Sequence, residues 1–103
     1  MYLSACIEWL FKDSAPDFAD RIHAAKNAGL SAVEFHLWDD KPIDAIRAAL
    51  DETGVKLTSF CVGPRRSLLD PAQHDEFLEA VAATLETAKT LGRPPLVVCL
   101  LYT

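Results

Sequence analysis

No run of apolar residues in this 103-residue chain approaches the roughly 20 that a membrane-spanning helix needs. Positive charge is also scarce: 10 Lys and Arg stand against 15 Asp and Glu, for a net charge of -5. With no basic stripe either, nothing draws the chain to a phosphate backbone, and nucleic acid is not an expected partner. Glycine and proline number only 4 and 6, which removes the collagen-like and low-complexity classes. The three cysteines, Cys6, Cys61 and Cys99, form no C-x-x-C pair and leave one over. That count argues against a disulfide framework and suits a reducing compartment. The opening Met1-Tyr2-Leu3-Ser4 has neither the basic leader nor the long apolar stretch of a secretory signal, so a cytoplasmic location is expected.

What remains is a folding composition, half hydrophobic and about a quarter charged, of a length that suits one small domain with a modest core. Its organisation is periodic. Three times a Gly closes a helix-like stretch and an apolar run follows: Gly29 before Ala32–Trp38, Gly54 before Leu57–Val62, and Gly92 before Leu96–Leu101. This is the beat of helices feeding parallel strands, and it predicts an α/β fold of the form βαβαβαβ.

The elements follow from local signals. Leu3–Trp9 reads as the first strand. Ser14-Ala15-Pro16-Asp17 reads as a helix start with Phe18, Ile22 and Ala25 on its apolar stripe. Asp39-Asp40-Lys41-Pro42 opens a second helix with Ile43, Ile46 and Leu50 at helical spacing. Gly63-Pro64-Arg65-Arg66-Ser67 is a loop. Asp70-Pro71-Ala72-Gln73 then caps the longest helix, whose expected apolar face is Leu78, Val81, Leu85 and Ala88.

Alternation along the strands separates two faces. In the second strand Val33, Phe35 and Leu37 would face a helix layer, with Glu34, His36 and Trp38 opposite. The first strand sets Ser4, Cys6 and Glu8 against Leu3, Ala5 and Ile7, and the third sets Ser59 and Cys61 against Phe60 and Val62. A parallel strand buried on both faces is apolar throughout. A polar face suits a barrel lumen that leads to a site.

The runs Ala5-Cys6-Ile7-Glu8-Trp9-Leu10-Phe11, Ala28-Gly29-Leu30-Ser31-Ala32-Val33-Glu34-Phe35 and Lys56-Leu57-Thr58-Ser59-Phe60-Cys61 resemble, in this order, the N-terminal part of hydroxypyruvate isomerase and its relatives among the xylose isomerase-like barrels. The resemblance implies the N-terminal half of a (β/α)8 TIM-type barrel, with residues 1–103 as a single partial domain. It also implies an aldose–ketose isomerisation through an enediol, assisted by a divalent metal. The family's metal ligands and catalytic carboxylates come from later strands, so the expectation is a chain that binds no cofactor and is inactive alone. What carries over is the pocket wall, with Trp9, Glu34, His36, Trp38 and Cys61 on or near the strand ends that face the site. The expected ligand is a small hydroxy-carbonyl or sugar-like substrate. The tail Cys99-Leu100-Leu101-Tyr102-Thr103 departs from the small residues with which relatives usually end the fourth strand, and a truncated or frame-shifted product is expected.

Each candidate has two readings. Glu34 could serve substrate or a proton network, or be a structural partner. His36 lacks an H-x-H or H-x-x-x-H companion, so it reads as a pocket-lining hydrogen bonder before a metal ligand. Trp9 and Trp38 could stack on a sugar or belong to the core. Glu8 and Glu34 could be an acid–base pair. Arg65 and Arg66, just past the third strand, could hold a carboxylate or phosphate, or form a solvated loop. The cysteines have no visible activating base. Four strands leave a barrel open, so self-association or a complementary half-barrel is expected. The alternative is a self-standing α/β module that binds an anion or a protein and catalyses nothing.

Overall fold

The computed structural model describes residues 1–99. Its strands are β1 (Ser4–Cys6), β2 (Ala32–Leu37), β3 (Lys56–Cys61) and β4 (Leu96–Val97). They form one sheet in the order β1-β2-β3-β4, every neighbour parallel. The connecting helices are α1 (Asp20–Asn27), α2 (Ile43–Thr53) and α3 (His74–Thr90), the last entered through a 3₁₀ turn at Pro71–Gln73. The fold class read from the sequence therefore stands. The three glycines that mark the helix-to-strand beat all have positive φ, 89° at Gly29, 72° at Gly54 and 92° at Gly92, the left-handed region that ends a helix without a Cβ penalty.

The core lies between the sheet and the helices. Ile22 and Ala25 of α1, Ile46 and Ala49 of α2 and Ala88 of α3 meet Val33, Phe35, Leu57 and Phe60 of the central strands. Phe35 stacks on Phe60 at 5.4 Å between centroids, and Phe18 meets Phe35 edge-on at 5.5 Å. Apolar burial of this kind, about 25 cal/mol per Å², is what holds the layers together.

Several boundaries differ from the sequence reading, each for a local reason. The first strand is three residues long, not seven. Ile7 N still donates to Glu34 O at 2.9 Å, but Arg21 Nη1 takes the carbonyls of Ile7 and Glu8 at 2.9 and 2.8 Å. The chain then turns through Phe11 at φ 67°. Ser14 does not cap α1, because its hydroxyl donates to Phe11 O at 3.4 Å. Residues 17–22 wind in by i→i+3 bonds instead, and the helix proper starts at Asp20.

In α3 the buried face is Ala80, Thr84 and Ala88, while Leu78 and Leu85 are exposed. The expected Leu78–Val81–Leu85–Ala88 stripe is therefore corrected at Leu78 and Leu85, while Val81 is half-buried and Ala88 is buried as expected. Asp70 does cap the turn before α3, accepting from Ala72 N at 3.0 Å. Gln73 reaches back to the Asp70 carboxylate at 3.2 Å. Of the expected fourth strand, Leu96 and Val97 pair with Phe60 and Cys61. Val98 and Cys99, expected in the same strand, lie past its end, and the rest of that reading, at Leu100 and Leu101, and the tail Tyr102-Thr103 lie outside the described residues.

The register of β2 on β3 is irregular at its centre. Val33 pairs with Leu57, Glu34 with Ser59, and Leu37 with Cys61. An extra residue therefore sits in β3 at Thr58, and another in β2 between Glu34 and Leu37. Each bulge adds a residue to one face and flips the alternation beyond it.

Candidate functional site

The face of the sheet away from the helices gathers short polar side chains. Ser4 Oγ and Thr58 Oγ1 are 2.6 Å apart across β1 and β3, a span that the β3 bulge makes possible by turning Thr58 toward Ser4. Ser59 Oγ donates to Glu34 Oε2 at 3.2 Å. Cys6 Sγ lies 3.7 Å from His36 Nε2. The Trp9 ring stands edge-on to the His36 ring, 5.0 Å between centroids and 77° between planes, and Trp9 is itself 66% exposed. Trp9, Glu34 and His36 are thus brought to one face at the open end of β1 and β2, with Ser59 completing the group.

Trp38 is not part of it. The bulge places Leu37 on the face of Cys61, and Trp38 turns to the helix side, where its Nε1 donates to Thr84 Oγ1 at 2.8 Å. The expected alternation of Leu37 and Trp38 is corrected for this reason.

Glu8 and Glu34 do not share a partner. Glu8 Oε1 accepts from His36 N at 2.7 Å and from Lys41 Nζ at 2.7 Å. Lys41, its side chain only 7% exposed, also donates to Leu37 O at 2.6 Å and lies 5.1 Å and 5.5 Å from the ring centroids of Phe18 and Phe35. The Glu8 carboxylate is therefore a positioning group. It holds the backbone of His36 at the point where β2 leaves the regular ladder.

Arg65 and Arg66 diverge. Arg66 Nε pairs with Glu76 Oε2 of α3 at 2.8 Å, and its Nη1 donates to Arg65 O, whereas Arg65 is exposed. Cys61 is 5% exposed and receives the Cys99 thiol at 3.4 Å. Burial first, then the hydrogen bond and charge of Cys99, push the Cys61 thiol up from 9.0 to about 12.

Three residues that organise this end of the sheet escape a sequence reading. Thr84, fully buried, accepts from Trp38 Nε1 and from Gly63 N at 3.2 Å, and lies 2.7 Å from Ala80 O and 3.1 Å from Gly63 O. Arg21, 8% exposed, spends its guanidinium on the carbonyls of Ile7, Glu8, Ala15 and Pro16. Lys41 is the third. Arg21 had a signal, since it lies three residues after Phe18 on the α1 stripe.

A family model for the xylose isomerase-like TIM barrel matches residues 22–102. The chain belongs to this family. No curated protein matches it. Among solved structures it is similar to an AP endonuclease, family 2, from Brucella melitensis, with a TM-score of 0.77 and 25% identity over 89% of this chain. The chain spans 38% of the length of that structure. The four parallel units thus correspond to part of a TIM barrel, and the polar face described above is the one a closed barrel of this family turns inward.

Among the described residues, no three or more His, Cys, Asp or Glu side chains converge as a metal site. Glu34 is engaged by Ser59 and His36 lies against Cys6. The divalent metal that the family resemblance implies does not fit the residues present, and no step is derived through it. Among the same residues no helix is long and apolar enough to cross a membrane.

Proposed function

We propose that residues 1–103 are a single partial domain that supplies one wall of the pocket of an aldose–ketose isomerase of the hydroxypyruvate isomerase kind, and that the chain does not turn over substrate alone. The observation that carries this reading is the polar inner face. A parallel strand in an open two-sided sheet would be apolar there, yet Glu34, Ser59, His36 and Cys6 occupy it.

Such a face suits a small hydroxy-carbonyl or sugar-like ligand. The Glu34 carboxylate accepts from substrate hydroxyls while Ser59 holds one of its oxygens. The His36 ring, fixed through its backbone by Glu8 and through its edge by Trp9, presents a nitrogen to an oxygen of the ligand. Trp9 offers an apolar edge to the carbon skeleton. Beside the two edge strands, Tyr2, Leu3, Val97 and Val98 are exposed, which supports pairing of β1 and β4 with a complementary half-barrel or a second copy.

Two other readings have an observation each. The similar solved structure is titled an AP endonuclease, but a net charge of -5 and the neutralisation of Arg66 by Glu76 weigh against a nucleic-acid surface. A self-standing anion-binding module draws on the exposed Arg65 and on a core that is continuous across all three helices.

Titrating the full chain with hydroxypyruvate, inorganic phosphate and an abasic-site duplex in turn, and following backbone amide shifts, separates the three. The isomerase reading expects saturable shifts at Glu34, His36 and Ser59 with hydroxypyruvate, lost in His36→Ala. No saturable shift with hydroxypyruvate overturns it. Phosphate shifts centred on Arg65 would then support the binding module, and tight duplex binding the nuclease.

A further inference from the structure

Two of the three cysteines meet at the strand ends. Cys61 closes β3 and pairs with Val97 of β4. Val62 N extends the ladder by donating to Val97 O at 2.9 Å, and this brings Cys99, two residues further along, back over β3. The Cys99 thiol donates to Cys61 Sγ at 3.4 Å. Cys6 stands apart, its sulfur beside His36. The contact falls where the sheet is weakest, since β4 is held to β3 by two residue pairs and its own Val97 and Val98 are exposed.

We propose that Cys61 and Cys99 form a reversible dithiol–disulfide site, closed by a small-molecule disulfide such as oxidised glutathione, that ties edge strand β4 to β3. Cys99, the more exposed of the two, is the entry thiol. It loses its proton to solvent and its sulfur attacks the reagent, breaking the reagent's S–S bond, forming a mixed disulfide at Cys99 and releasing one equivalent of reduced thiol. Cys61 then gives up its proton and attacks the Cys99 sulfur. The protein disulfide forms and the second equivalent of thiol leaves. The two cysteines are together oxidised by two electrons, and the one reagent molecule is reduced to two thiols.

The buried position of Cys61 makes the second step the slow one. Burial raises its thiol above the ordinary value, and this cause remains when Cys99 carries the reagent, so the fraction present as thiolate rises with pH through neutral and mildly alkaline values and the closure rate follows. Once closed, the crosslink joins two points 38 residues apart in the chain and restricts the unfolded state.

The native wild-type chain, dilute enough to suppress crosslinking between molecules, is treated with oxidised glutathione at several pH values and mapped by mass spectrometry without reduction. The expected product has lost two hydrogen atoms, links the Cys61 and Cys99 peptides, leaves Cys6 free, melts at higher temperature than the reduced chain, and returns to it with dithiothreitol. Closure should be faster at one pH unit higher, by up to about tenfold. The Cys6→Ser variant should give the same product, and Cys61→Ser should stop at a glutathione adduct on Cys99. A stable adduct on wild-type Cys99, linkage through Cys6, or a crosslink between chains as the main product would each overturn the proposal.

Discussion

Trp38 and Thr84 are joined by a 2.8 Å hydrogen bond from the indole Nε1 to the threonine hydroxyl. The same hydroxyl accepts from Gly63 N, so the ends of β2 and β3 and the middle of α3 share one buried oxygen. Thr84→Val keeps the shape and removes that acceptor, leaving two buried N–H donors without partners. A loss of about 3 kcal/mol is expected, read as a lower midpoint in urea unfolding with an unchanged slope. A change under 1 kcal/mol would show that water replaces the hydroxyl.

Gly63 is required by space. A Cβ there would lie 2.8 Å from Asp39 Oδ1 and 3.1 Å from Leu37 Cδ2. Gly63→Ala is expected to cost about 2 kcal/mol, in the range for overpacking. Combining it with Asp39→Ala should recover part of the loss. Strict additivity in the double variant would contradict the contact.

Lys41 and Glu8 are both withdrawn from water, with side chains 7% and 18% exposed. Lys41→Met strands a carboxylate that still holds His36 N, and should destabilise by about 3 kcal/mol. Glu8→Gln in the Lys41→Met background should restore a good fraction, because the amide carries no charge to desolvate. Thermal unfolding of the three variants checks this.

Because the folded state holds the Cys61 thiol near 12 against an ordinary 9.0, the unfolded chain releases that proton first. The contribution is fully present below pH 9 and is lost as pH rises toward 12, at a slope of up to about 1.4 kcal/mol per pH unit. Stability of the wild type under reducing conditions should therefore fall faster above pH 9 than that of Cys61→Ala. Parallel curves for the two would count against a buried, protonated thiol.

The beat of Gly29, Gly54 and Gly92 made the parallel α/β plan legible, because ending a helix in the left-handed region is a local demand that leaves a residue signature. The α2 stripe of Ile43, Ile46 and Leu50 was legible for the same reason, with Ile46 fully buried and the others packed against the core. Trp38 was misassigned because a bulge is a property of two strands together, and no period-two pattern within β2 reports it. The α3 face was legible at Ala88 and misjudged at Leu78 and Leu85, because Thr84 is drawn inside by hydrogen bonds to Trp38 and Gly63, partners on other elements that no pattern within the helix reports. Lys41 reads as surface in sequence. Its burial depends on Glu8, 33 positions earlier, and on two aromatic rings from other elements.

The two bulges between β2 and β3 cancel. Val33 faces Leu57 and Leu37 faces Cys61 at the same offset along the chain, and Glu34 opposite Ser59 alone is displaced by one. The sheet below and above is in a single frame, so the slip is confined to the few residues that form the polar face. The polar side chains at 34, 36, 58 and 59 can therefore be exchanged as a cassette, while Phe35 and Phe60 beside them stay in the core and the apolar frame on either side keeps its register. A barrel built on such a frame can change what its pocket touches without refolding its walls.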